Sequence, residues 1–239
     1  MAILETKSLS KSFGALAAVN AVSLSIEAGS LHSIIGPNGA GKTTLFNLLT
    51  GTFAPSSGRI FLVQKDITGT PASRIAHLGL ARSYQRTTVF PAFSLLDNAW
   101  IAAFATGKSW NGLLWKPTKD FPEASERARQ ALRDVGLEGK SGQLAREISH
   151  GEQRQLELAM AIATRPRLLL LDEPMAGMGK EESERMVDLI AGLKGAHSVL
   201  LVLSDSSRDR SRSPWVCTSP SRLATIRRRR SFSEIRSCA

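Results

Sequence analysis

The sequence predicts an α/β core that carries a helical subdomain. Three observations predict it. Strand-like and helix-like segments alternate at both ends of the first 203 residues. The stretch from about residue 86 to 155 reads as helices joined by loops. A glycine-rich turn, GPNGAGKTT, joins an apolar strand to a helix. Alternation of this kind builds a mostly parallel sheet, and the helical stretch stands apart as an insertion.

Residues 2–8, 21–26 and 30–35 read as short strands. AVSLSI alternates apolar and polar side chains, as a half-buried strand does. LHSIIG ends in an apolar run and a glycine; after the glycine-rich turn, LFNLLTG has helical period and is closed by Gly51. RIFLV (59–63) follows the turn PSSG as a further strand. Residues 71–78 read as a helix with Pro71 near its start, and Leu80–Tyr84 as extended.

Two helices are expected at 94–105 and 122–135, separated by a Gly/Pro/Trp loop. The first opens at Ser94 with Asp97 three residues on, a capping-box-like start. Residues 151–164 form a strong helix with Leu156, Ala159, Met160 and Ala163 on one face. LLLLDEP reads as a buried strand ending in acids. Residues 179–194 read as a helix with Glu181, Glu182 and Glu184 in its first turns, where they favour the helix dipole. Ser198–Leu203 is the last apolar strand.

Composition bounds the partners. The chain has 239 residues, 42% hydrophobic and 22% charged, which excludes disorder over its whole length. The net charge of +10 alone suggests a nucleic-acid or membrane-surface partner. That charge is concentrated at one end: residues 204–239 hold nine Arg against three acids, so +6 belongs to the tail and +4 to the body. Cys217 and Cys238 both lie in the tail, so neither a disulfide nor a Cys-based metal site supports the body. MAILETKSLSKSFG has no signal-peptide pattern, and the longest apolar runs are far below the ~20 residues of a membrane span. A soluble, cytoplasmic body is expected.

Gly36, Pro37, Asn38, Gly39, Ala40, Gly41, Lys42 and Thr43 match G-x-x-x-x-G-K-[ST] at every fixed position, between the expected strand and helix. The glycines let backbone N–H groups close around phosphate oxygens, and the helix start adds its positive end. Lys42 supplies a cation to the β- and γ-phosphates, and the Thr43 hydroxyl can ligate Mg²⁺. Downstream, Leu168–Leu171 run into Asp172 and Glu173, two carboxylates at the carboxyl edge of a sheet. Asp172 would hold Mg²⁺ through water, and Glu173 would act as general base toward the attacking water. A third segment, ISHGEQR, precedes the strong helix. Taken alone, its Ser149 reads first as an N-cap and second as part of an anion site.

The three motifs, in this order and spacing, resemble the nucleotide-binding subunit of ABC transporters over roughly residues 3–203. SHGEQRQLELAMA and LLLDEPMAGMG are most similar to the ATPase subunits of branched-chain amino acid importers. The resemblance implies a P-loop NTPase core of ABC type with an antiparallel β subdomain and an inserted helical subdomain. It implies ATP and Mg²⁺ as ligands, and a place on the inner face of the cell membrane beside permease subunits. It also implies a second ATPase subunit, identical or a sister, and no direct contact with the solute or with nucleic acid. It assigns Phe13 to adenine stacking, a role that stays open beside that of a core phenylalanine. Val19 and Thr44 join the nucleotide-binding positions. Gln85 is assigned to Mg²⁺ and the attacking water, on a loop that meets the permease. Ser149, His150, Gly151, Glu152 and Gln153 are placed against the ATP of the partner subunit, and Met175–Gly179 where a loop crosses between subunits. His150 reads as a hydrogen-bonding surface residue and not as a metal ligand.

The sequence also departs from that family. Where the family has a histidine beside the γ-phosphate, the chain reads Leu203-Ser204-Asp205, and His197 lies at the wrong end of the strand. Ten Ser and nine Arg in the last 36 residues do not match the strands and helix expected next. Three origins stand: a shift of reading frame near codon 203, favoured because out-of-frame GC-rich codons yield Arg and Ser; a disordered basic tail; or a remodelled end that folds. The sequence alone leaves several functions open. They are an amino-acid importer ATPase, a urea or amide importer ATPase, a soluble ABC-type ATPase acting on nucleic acid or ribosomes, and a nucleotide-binding remnant with weak hydrolysis. The third is disfavoured because such proteins carry two nucleotide domains in one chain.

Overall fold

Two long strands open the chain in the computed structural model, which describes residues 1–83, 89–105, 121–204, 215–219 and 222–225. Strand β1 (Ala2–Phe13) pairs antiparallel with β2 (Leu16–Glu27). Both exceed the expected 2–8 and 21–26, because register shifts between Thr6 and Leu9 and again near Lys11 break the period-two alternation. Ser8 and Ala21 take positive φ, as bulged residues do.

Two units are formed, and each is described by itself. The first holds Met1–Arg82, Arg167–Glu173 and the residues described from Leu193 on. Its four-stranded antiparallel sheet has the order β2-β1-β4-β5, with β4 at Ser57–Leu62 and β5 at Lys65–Asp66. The turn between β4 and β5 places Val63 and Gln64 at φ 50° and 63°, a conformation usually carried by Gly or Asn. That is why β5 gives no signal in the sequence.

The six-stranded sheet of the same unit contains β3 (Leu31–Gly36), β6 (Leu80–Arg82), β7 (Leu168–Asp172) and β8 (Ser198–Ser204), all parallel. Helix α1 (Lys42–Leu49) follows β3, and α2 (Ala72–His77) follows Pro71. The core between these elements contains Leu4, Leu9, Ile26, Phe46, Leu48, Leu49 and Ile60, each no more than 1% exposed. Every residue of β7 is buried, so its four leucines need no alternation.

Beyond Leu203 the sequence pattern predicts no regular element, yet two strands form there. β9 (Trp215–Ser219) pairs antiparallel with β3, and β10 (Arg222–Thr225) with β9. WVCTS is short but rich in aromatic and β-branched residues, which suit a strand laid along an existing sheet edge.

The second unit holds Ser83–Pro166 and Pro174–Gly192, within the limits of the described residues. It contains the expected helical stretch and extends past it. Helices α3 (Leu95–Ala105), α4 (Pro122–Asp134) and α5 (His150–Ala163) pack on one another. Helix α6 (Lys180–Gly192) is shorter than the expected 179–194. Ser94 accepts the Asp97 N–H at 3.0 Å and donates its hydroxyl to Asp97 Oδ2 at 2.6 Å, closing the start of α3. Among the described residues, no helix is long and apolar enough to cross a membrane.

Candidate functional site

The phosphate loop leaves β3 at Gly36 and enters α1 at Lys42. Gly39 and Gly41 take φ of 84° and 81°, where L side chains are strained. At Gly41 a second constraint acts: a Cβ there would overlap the carbonyl oxygen of Ala18 on β2. Val19, 4% exposed, has Cγ2 3.7 Å from the same point. Gly41 is also the N-cap of α1 and offers no side-chain acceptor, so nothing on the cap competes for the orphan N–H groups of the first turn. Lys42 is buried, and its ammonium donates to the carbonyls of Gly36 at 2.6 Å and Pro37 at 2.9 Å. Thr43 is exposed and Thr44 half-buried beside it.

Asp172 ends β7 and is 3% exposed. Its Oδ2 accepts from Arg82 Nη2 at 3.1 Å, and Arg82 Nη1 donates to Asn47 Oδ1 on α1 at 2.6 Å. Burial pushes the Asp172 carboxyl above the usual carboxylate range; the Arg82 guanidinium opposes this, Glu173 adds to it, and Lys42 opposes it more weakly. The phosphate-loop cation and the acidic strand end therefore share one electrostatic neighbourhood. Glu173 follows at φ 50°, with its N–H donating to the carbonyl of Val202 on β8 at 2.9 Å. A non-glycine residue held in this region costs about 1–2 kcal/mol and turns the chain sharply off the sheet edge. The donor set suits a metal-bound nucleotide: backbone N–H groups and an ammonium for phosphate oxygens, with an exposed hydroxyl and a carboxylate for the metal.

Phe13 stands at the tip of the β1–β2 hairpin and is 46% exposed, so it is a surface ring and not a core one. Phe53 meets it edge-on with centroids 5.6 Å apart, and Lys11 Nζ lies 5.2 Å from its centroid. The ring thus has an aromatic neighbour and a cation over its face.

In the second unit, Ser149 is the N-cap of α5. Its hydroxyl accepts the Glu152 N–H at 3.2 Å, and Glu152 Oε2 accepts the Ser149 N–H at 3.0 Å, a complete capping box. The proton of the Ser149 hydroxyl is not used in that box. Lys140 pairs with Glu152 Oε1 at 2.5 Å, and this hydrogen bond, ahead of the one from Ser149, holds the Glu152 carboxyl below its usual range. Gln153 donates to the carbonyl of Ala145 at 3.3 Å. His150 is exposed; Gly151 is buried, and a Cβ there would meet the Glu182 carboxylate of α6. Glu182 Oε2 in turn accepts the Gly179 N–H at 3.2 Å. Gln85 lies outside the described residues.

The ABC transporter family model matches residues 19–176, which span the phosphate loop, the Ser149 segment and both strand-end acids. The chain belongs to the ABC transporter family. Two relatives are High-affinity branched-chain amino acid transport ATP-binding proteins. LivG of Escherichia coli (strain K12) is 37% identical over 205 residues, 84% of this chain and 80% of that protein. BraF of Pseudomonas aeruginosa is 39% identical over the same length and coverage. Among solved structures, the ADP conformation of an ATP-binding cassette of an ABC transporter matches with a TM-score of 0.74. Its identity is 31%, over 85% of this chain and 81% of that one.

Within this ABC protein, sequence reasoning found the acids and the loop but missed their supports. Arg82, Asn47, Lys140 and Glu182 carry no motif signal. Each acts through a partner brought close only by folding.

Proposed function

We propose that the chain is the ATP-binding and hydrolysing subunit of an importer for branched-chain amino acids. The carrying observation is the joint match to LivG and BraF over four-fifths of their length, on a chain whose phosphate loop and acidic strand end converge in one unit. In this reading the loop N–H groups and Lys42 hold the phosphates, and Phe13 stacks on adenine. Mg²⁺, held by Thr43 and through water by Asp172, with Gln85 as a further ligand, would neutralise charge on the phosphate oxygens. Glu173 orients a water and takes its proton as the water oxygen bonds to the γ-phosphorus. The bond from that phosphorus to the bridging oxygen breaks, leaving ADP and inorganic phosphate.

A second subunit, identical or a sister, places its Ser149 segment over the ATP of the first, and a two-fold arrangement gives two sites. The subunits sit peripherally on the cytoplasmic side of the membrane against permease subunits. Phe90 and Phe93, each 45% exposed in the helical unit and pinned by the buried Asn98, supply an apolar contact for such a partner.

Hydrolysis in this chain is expected to be weak, since Leu203-Ser204-Asp205 offers no imidazole where the family uses one. The test is co-expression of the full chain with candidate permease subunits, followed by affinity capture and ATPase assay. Capture of the permease with slow turnover, abolished by Glu173→Gln, supports the reading. Turnover indifferent to Glu173→Gln, or failure to associate with any permease, counts against it.

A further inference from the structure

Arg82 contacts both Asn47 and Asp172, and neither partner is its sequence neighbour. It sits at the end of β6, with its side chain about nine-tenths buried, while the Asp172 side chain is 1% exposed. One guanidinium arm reaches Asp172 Oδ2 at 3.1 Å, and the other reaches Asn47 Oδ1 at 2.6 Å. Its Cζ lies 5.7 Å from the ring centroid of Phe46, a core residue of α1. The planar fork thus joins three elements: the helix that begins at the phosphate-loop lysine, the strand that ends in the acid, and β6 itself.

We propose that Arg82 is a positioning residue for the metal-nucleotide site, acting through Asp172. The inference rests on the reading of Asp172 as the acid that meets Mg²⁺. By binding Oδ2 from one side, Arg82 fixes the carboxylate's rotation about its Cβ–Cγ bond and leaves a defined direction for Oδ1. By binding Asn47, it ties that direction to α1, so the acid and the phosphate loop keep their spacing. Lysine cannot replace it, because a single ammonium lacks the two divergent arms. Groups that orient a metal-binding carboxylate commonly change metal affinity by about 10–100-fold when removed.

The test measures equilibrium binding of a fluorescent ATP analogue to the full 239-residue chain, titrating Mg²⁺ and repeating with chelator. Arg82→Lys, Arg82→Met and Asn47→Ala are compared with the unaltered chain. The expected result is a half-saturating Mg²⁺ concentration raised about tenfold in both Arg82 variants and in the same direction in Asn47→Ala, with chelator-state binding within about twofold. A merely structural role would weaken binding equally with and without Mg²⁺. Should the Arg82 variants not fold, Asn47→Ala decides the matter, since it removes one anchor without touching the acid. Unchanged Mg²⁺ dependence in the folded variants overturns the proposal. Absence of nucleotide binding by the unaltered chain is a different failure, that of the nucleotide-site reading itself.

Discussion

The ammonium of Lys42 donates to the carbonyl oxygen of Gly36, six residues earlier, at 2.6 Å. The contact closes the phosphate loop on itself: the residue that ends β3 is bound by the residue that begins α1. A buried ammonium requires such acceptors, because burying it without them costs several kcal/mol. The same loop is locked from outside at Gly41, where the Ala18 carbonyl leaves no room for a Cβ.

Gly41→Ala should destabilise the protein by about 2 kcal/mol or more. It adds a Cβ where φ is 81° and where the Ala18 carbonyl already stands. Gly39→Ala, at φ 84° with open space around it, should cost only about 1 kcal/mol. Urea denaturation of the two variants checks the order. Equal losses would mean that the Ala18 contact is unimportant.

Glu173 separates activity from stability. Glu173→Gln keeps the backbone strain and should abolish ATP turnover with nucleotide binding preserved. Glu173→Gly relieves the φ of 50° and should raise stability by about 1 kcal/mol while also abolishing turnover. Thermal melts beside a phosphate-release assay test both. A glycine variant that melts lower would show that the side chain contributes more than the strain costs.

Ser149→Ala removes the acceptor of the Glu152 N–H and half of the capping box. A loss of about 1 kcal/mol in stability is expected. If Ser149 also meets the partner's nucleotide, ATP-dependent dimerisation of a Glu173→Gln background should fall by more than that stability loss explains. Sedimentation with and without ATP reads the difference.

His32 introduces a pH dependence. It is 5% exposed on β3, and its Nδ1 has no hydrogen-bond partner among the described residues. Burial lowers its pKa below 6.5, only partly offset by Glu27. The unfolded chain therefore takes up a proton first as pH falls. The stability is fully present above pH 6.5 and is lost as the pH falls through the folded-state value. His32→Phe should flatten the melting temperature between about pH 5.5 and pH 8. An equally steep acid loss in that variant would assign the effect elsewhere.

Much of this architecture was legible because the strongest signals are local. The phosphate loop needs glycines at fixed spacing, and β7 needs four leucines to be buried on both faces. Both requirements are written in consecutive residues. Helix α5 announced itself through Leu156, Ala159, Met160 and Ala163 on one face, after Ser149 as a candidate N-cap. What was not legible depends on distant partners or unusual backbone. Hairpin β4–β5 turns through Val63 and Gln64 without the residues that usually mark such a turn. The long β1 and β2 hide behind bulges. Strands β9 and β10 lie in an Arg/Ser-rich stretch whose composition argues against regular structure. Arg82 became meaningful only when β6 came beside β7 and placed it 3.1 Å from a residue 90 positions away.

On the proposed function, this chain holds ATP through the loop that Lys42 closes. The most direct measurement is equilibrium binding of ATP, with Mg²⁺, to the purified 239-residue protein and to Lys42→Ala. Saturable binding is expected, weakened at least about tenfold in the variant, with the folded state retained by circular dichroism. Binding that is absent from the unaltered protein, or equal in the two, would contradict it.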